Sequence, residues 1–136
     1  HYLPTGLTEM RQMWLEISIT DAEGKLAYQL GKVDEKGNID SHSTIYHTVF
    51  GDESGKPTLH VWSATHIISD NRIPPNGKNE EHFCCFLPND VKPPLKIKAV
   101  LDYRSAPQDV VDALLGEKSI KLPIIDMAEV STEINL

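Results

Sequence analysis

Hydrophobic residues recur at every second position through most of the chain. Met13, Leu15, Ile17 and Ile19 alternate with Trp14, Glu16, Ser18 and Thr20, the pattern of a half-buried strand. Asp21-Ala22-Glu23-Gly24 supplies a turn, and Leu26, Tyr28 and Leu30 alternate again. Residues 12 to 32 therefore predict a hairpin. A polar loop follows at Asp34-Glu35-Lys36-Gly37-Asn38. A third strand is expected over Ile45 to Phe50, ended by Gly51-Asp52-Glu53-Ser54-Gly55. In a fourth, Leu59, Val61, Ser63, Thr65 and Ile67 share one face, and His60, Trp62, Ala64 and His66 share the other. The polar run Ser69 to Glu80, with Pro74-Pro75-Asn76-Gly77, predicts a long loop of the kind that is often functional or mobile. Glu81 to Leu87 predicts a fifth strand. A sixth sets Leu95, Ile97, Ala99, Leu101 and Tyr103 inward, with Lys96, Lys98, Asp102 and Arg104 outward.

The period changes once. Ser105 is a good helix cap with Gln108 three residues on and Pro107 in the first turn. Val110, Val111, Leu114 and Leu115 give an apolar stripe, and Gly116 should stop the helix. A last strand is expected from about Ile124 to Ile134. Seven strands separated by Gly- and Pro-rich turns, with one short helix, predict an all-β antiparallel sandwich, Ig-like or related. Parallel crossover units would need helices between the strands. The whole chain, 1–136, reads as a single domain, without internal repeat or linker.

Size and charge narrow the function. A chain of 136 residues buries roughly two thirds of its extended surface and needs no metal or disulfide to fold. Twenty acidic residues against thirteen basic ones give a net charge of -7. That balance argues against nucleic acid and anionic membrane surfaces, both of which need a cationic footprint. No apolar stretch approaches a bilayer span. The sequence opens on His1 rather than Met, so the chain is expected to be a processed or truncated part of a longer protein. Cys84 and Cys85 are neighbours. A bridge between them would need a strained ring, so two free thiols are expected, pointing to opposite faces of a strand.

The chemistry-bearing residues form no familiar catalytic pattern. Histidines stand at 1, 42, 47, 60, 66 and 82, with no HxH, HxxxH or HExxH spacing. His60 and His66 would lie roughly 20 Å apart along an extended strand, too far to share a metal. A free amino-terminal His1 could chelate copper with its amine and ring, which makes a copper enzyme one alternative. No GxSxG elbow is present, and the pairs Asp52-Glu53 and Glu80-Glu81 fall in loops as solvated charge. Asp70-Asn71 lacks the spaced oxygens of a calcium loop. Trp14 and Trp62 are both expected as packing residues.

Several segments together resemble a known family. His1-Tyr2-Leu3-Pro4-Thr5-Gly6, Arg11-Gln12-Met13-Trp14-Leu15 and Asp21-Ala22-Glu23-Gly24 are followed by Asp70-Asn71-Arg72-Ile73-Pro74-Pro75 and Leu101-Asp102-Tyr103-Arg104. In this order they resemble the non-haem C-terminal β-domain of multihaem c-type cytochromes, and the likeness spans His1 to about Arg104. The resemblance implies an exported protein, periplasmic or at the cell surface, that takes part in respiratory electron transfer. It implies that His1 is internal to a longer chain and is a candidate distal ligand to a haem of a neighbouring domain. This chain has no CxxCH, so no cofactor is expected within it, and haem c is expected in the missing neighbour.

The expectation is a non-catalytic accessory domain that packs against its own multihaem domain or docks another redox protein. An Ig-like cell-surface module for protein or carbohydrate is the alternative, and a copper enzyme using His1 is a third. Among the shared residues, Pro4-Thr5-Gly6 should fix a tight turn. Arg11 and Arg104 are each expected to meet a carboxylate such as Glu9 or Asp102. Arg72-Ile73-Pro74-Pro75 should stiffen the long loop.

Overall fold

The computed structural model describes residues 1–135. The strands are β1 (Gln12–Thr20), β2 (Leu26–Leu30), β3 (Thr48–Gly51), β4 (Pro57–Thr58), β5 (His66–Asp70), β6 (Leu95–Arg104) and β7 (Ile125–Ile134), with one helix, α1 (Gln108–Leu115). They form two antiparallel sheets, ordered β2-β1-β6-β7 and β4-β3-β5. The fold is all-β with seven strands and one short helix, as the alternation predicts. The chain divides into two compact units. The first comprises His1–Met13, Ile45–Glu80 and Arg104–Pro123, and the second Trp14–Thr44, Glu81–Tyr103 and Ile124–Leu136.

The second unit holds the four-stranded sheet. Its buried apolar residues are Trp14, Ile19, Leu30, Leu95 and Val100. Trp14, on the face that alternation marks as polar, is fully buried and donates its indole N–H to the Gly31 carbonyl at 3.0 Å. The β1–β2 pairing runs from Ile17 opposite Leu30 to Thr20 opposite Leu26. Its turn is closed by Asp21, whose Oδ1 accepts the amides of Glu23 and Lys25, both at 2.9 Å.

That turn is one of three with the same chemistry. Asp21, Asp34 and Asp52 each stand three residues before a glycine. In each, the aspartate amide bonds the carbonyl four residues on, at 2.9 Å, and the glycine amide returns to the aspartate carbonyl. The Asp Oδ1 also accepts the amide of Lys25, Asn38 or Lys56. The glycines take φ of +79°, +86° and +78°, which side-chain-bearing residues adopt only at a cost. A side-chain acceptor with a left-handed residue is a local instruction for a tight turn. It explains why the three loops named from composition fall where they do.

Four expectations are corrected. Residues 59–67 are not one strand. β4 and β5 are separated by a 3-10 turn over Val61–Ser63. Thr58 Oγ1 accepts the His60 amide at 3.1 Å, and Ser63 donates both its amide and its hydroxyl to the His60 carbonyl. Such local bonds offer the backbone an alternative to a ladder. Glu81 to Leu87 forms no strand, because alternation predicts an extended backbone but not a partner for it. Cys84 is nonetheless exposed and Cys85 partly covered, both free thiols, as expected.

On β6, Asp102 and Arg104 are buried, not outward. That strand face passes from exposed Lys96 to buried Val100, Asp102 and Arg104, so one face of a long strand has two environments. Finally, α1 begins at Gln108 with Pro107, not Ser105, at the cap position. Gly116 ends it as predicted. Its apolar stripe is open: Leu114 is 76% exposed and Leu115 is exposed as well, while Gln108 is the buried residue. Gln108 Nε2 donates to the Ile120 carbonyl and Oε1 accepts the Leu122 amide. A polar residue thus ties the helix to the chain that follows it.

Candidate functional site

Two of the segments that carry the family resemblance come together in the first unit. Leu3 and Ile73 form an antiparallel bridge with two backbone hydrogen bonds of 2.9 Å. The Arg72 guanidinium lies 5.0 Å from the centre of the Tyr2 ring, within cation–π range. The same guanidinium grips Asp70 with two bonds, Nε to Oδ1 at 2.8 Å and Nη2 to Oδ2 at 2.5 Å. That pairing holds the Asp70 carboxyl below its ordinary value. Asn71, between them, accepts the His47 amide on Oδ1 at 3.0 Å and donates Nδ2–H to the Ile45 carbonyl at 2.5 Å. Asp70 is thus committed to Arg72, and Asn71 clamps the neighbouring backbone.

The result is an amino-terminal strap. Thr5 is followed by Gly6 at φ +80°, as the expected turn requires. His1 is exposed at the end of the strap, two residues from the ladder that fixes Leu3. Asn71→Ala should orphan the Ile45 carbonyl and the His47 amide, both partly buried. The expected cost is about 1–3 kcal/mol, read as a lower urea midpoint; an unchanged midpoint would remove Asn71 from this role.

Beside the strap lies an open groove of about 520 Å³, lined by Leu7, Leu59, Val61, Trp62, Val110 and Leu114 among others. Trp62 is 80% exposed and stacks on His60 with ring centroids 4.8 Å apart and 11° between planes. Its expected packing role is overturned, because the turn at Val61–Ser63 points it out of the fold. Trp14 keeps that role. The groove is assembled from residues that period-based reading assigns to a strand core and to an inward helix stripe. Only the exposure of both at once reveals it.

The other histidines are dispersed. His42 Nδ1 meets Asp40 Oδ1 at 3.2 Å, His66 Nδ1 meets the Thr65 hydroxyl at 3.0 Å, and burial pushes the His47 imidazole below its ordinary value. Among the described residues, no group of three or more His, Cys, Asp or Glu is placed to hold a metal ion. Arg104 donates Nε–H and Nη2–H to Gln12 Oε1 at 3.0 and 2.5 Å, and the Asp109 carboxylate is a charge that favours its ionised form. Asp102 faces other carboxylates. Among the described residues, no helix is long and apolar enough to cross a membrane.

No protein-family model matches the sequence, and no curated protein matches it. Among solved structures, a penta-haem cytochrome c552 from Thermochromatium tepidum is similar, with a TM-score of 0.66 at 20% identity. The match covers 98% of this chain and 33% of that one. This chain has the fold of part of a multihaem cytochrome. At that identity the likeness is one of fold, and the chain spans a third of the cytochrome it matches.

Proposed function

We propose that the chain is the non-haem β portion of an exported multihaem c-type cytochrome, acting without catalysis of its own by packing on the haem-bearing portion or docking a redox partner. The observation that carries this reading is the whole-chain fold likeness to one third of a penta-haem cytochrome. The order of the shared segments, and the meeting of two of them at the Leu3–Ile73 bridge, support it. The open apolar groove of Leu7, Trp62 and Leu114 is the surface that such packing would cover. Location outside the cytoplasm, in the periplasm or at the cell surface, follows from the same reading, since haem c proteins work there.

Covalent attachment of haem c would need two suitably spaced cysteine thiols. Cys84 and Cys85 are adjacent, so this chain's residues do not fit covalent attachment. His1 would be the candidate ligand to a haem of a neighbouring domain: it is exposed and its strap is anchored at Leu3. A bound haem would supply the one-electron chemistry, and this chain would supply position and one imidazole nitrogen.

In the full-length protein, a pyridine haemochrome assay is expected to find haem c, and His1→Ala to convert one low-spin haem to a high-spin signal by electron paramagnetic resonance. Absence of haem c would overturn the whole reading. Haem c present with an unchanged spectrum would remove only His1. The stacked, exposed His60–Trp62 pair favours carbohydrate recognition as a second reading, because an open aromatic face is what a sugar ring packs on. Glycan binding that Trp62→Ala abolishes would support it.

A further inference from the structure

The four-stranded sheet ends on β7, whose one strand neighbour is β6. β7 is ten residues long, against five for β2, five for β5 and two for β4, so it is the longest edge strand of the two sheets. Every residue in it is exposed, with Val130 at 67%. Among the described residues, its backbone makes no hydrogen bond outside its own ladder. Edge strands are commonly blunted by proline, by charged side chains, lysine above all, or by a bulge. Ile125–Ile134 has no proline and no basic residue, and its bulge lies at Met127, which leaves Ala128–Thr132, with one carboxylate, as a regular open stretch. Beyond the bulge at Met127, the register sets Ala128, Val130, Thr132 and Ile134 beside Leu101, Ala99, Ile97 and Leu95. The apolar face of β6 thus continues, uncovered, onto β7.

We infer that β7 is a self-pairing edge, through which two copies of this chain join antiparallel about Val130 into one continuous sheet. A partner that satisfies an open edge must itself present an extended strand, and the β7 of a second copy, exposed along its length, does so. Alternate residues aim their backbone groups at the open edge. Two copies can therefore pair only in registers whose two-fold axis passes beside a residue. An axis at Glu129 sets that glutamate on its copy. An axis at Ser131 sets Glu129 opposite Glu133 on both sides. Like charges directly opposite are unfavourable. At Val130 the strand opposes Val130 to itself, Ala128 to Thr132 and Glu129 to Ser131, all clear of the bulge at Met127. No like charges stand directly opposite in that stretch. The apolar face then runs through both copies. This goes beyond the cytochrome reading and does not depend on it.

The test uses the register's symmetry. Sedimentation velocity of the wild-type chain is expected to show a concentration-dependent dimer. Val130→Lys and Val130→Glu each place like charges at the axis and should each lose the dimer, with unchanged circular dichroism because the side chain is solvent-facing. An equimolar mixture of the two variants should regain it, since lysine then faces glutamate. A wild-type chain that stays monomeric at every concentration would overturn the inference. So would a dimer that both variants keep, or one that the mixture fails to restore.

Discussion

Trp14→Ala is expected to destabilise the protein by about 3–5 kcal/mol, the usual cost of deleting a large buried aromatic side chain. Trp14 is fully buried, and its N–H is committed to the Gly31 carbonyl at 3.0 Å. The site is unusually constrained. Gly31 takes φ +87°, and a Cβ built there would stand 2.3 Å from the Leu15 carbonyl oxygen and 2.7 Å from Glu16 Cα. The backbone after β2 therefore lies directly on β1, and it is this approach that brings the Gly31 carbonyl to the indole. Trp14→Phe separates the two contributions. It keeps most of the apolar contact and loses the hydrogen bond, for about 1–2 kcal/mol. Urea denaturation of both variants reads the difference. A cost below about 1 kcal/mol for the alanine variant would mean that the cavity collapses without loss, contrary to the tight backbone contact at Gly31.

Trp14 also shows what the sequence can and cannot convey. Alternation places β1 and β6 to within a residue, because a strand that buries one face writes a period of two into its residues. It mistakes the environment of Asp102 and Arg104, which stand on the face counted as outer and are buried, whereas Trp14 is buried as its size and type led one to expect. Period reports which residues share a face. What covers that face is decided by distant chain. The three Asp-turns are legible for the opposite reason, being local chemistry between residues two to four apart.

The groove was hidden by a similar local effect with the opposite outcome. Thr58 and Ser63 bond their own backbone at His60 and turn Trp62 outward, although its apolar neighbours read as a strand. The strap was partly legible. The resemblance named His1–Gly6 and Asp70–Pro75 as a set, but their contact through Leu3, Ile73, Tyr2 and Arg72 spans some seventy residues of sequence and carries no local signature. Asn71 carried one weak signal, its residue type, since a short amide side chain next to a loop often stands in for backbone.

Asp102 yields the second large effect, and its sign is unusual for a carboxylate. The β6–β7 register sets Asp102 directly opposite Asp126, because the irregularity at Met127 shifts β7 by one residue there. Asp102 is 3% exposed. Burial, then the charges of Glu16 on β1 and Asp126 on β7, raise its pKa to about 7, against a small opposing pull from Lys98. Lys98 is itself bonded to Glu129 at 2.8 Å. A carboxyl whose pKa is raised on folding binds more protons folded than unfolded between its two values. Its contribution to stability therefore falls as pH rises from about 4 to about 7, and the penalty is complete above that.

Asp102→Asn removes the titration while keeping the shape. The variant should be more stable than the wild type by about 2–4 kcal/mol at pH 8, and nearly equal to it at pH 4. Asp34, Asp52 and Asp70, held below their ordinary values chiefly by side-chain hydrogen bonds from Asn38, Ser54 and Arg72, act in the opposite sense. They weaken the fold only as pH drops below the usual carboxylate range. The wild-type curve mixes both effects, and the difference between variant and wild type isolates Asp102. Denaturation at pH 4, 6 and 8 measures that difference. A gap that does not widen with pH would show that Asp102 is ionised throughout, and that three carboxylates meeting on one sheet face are solvated well enough to coexist.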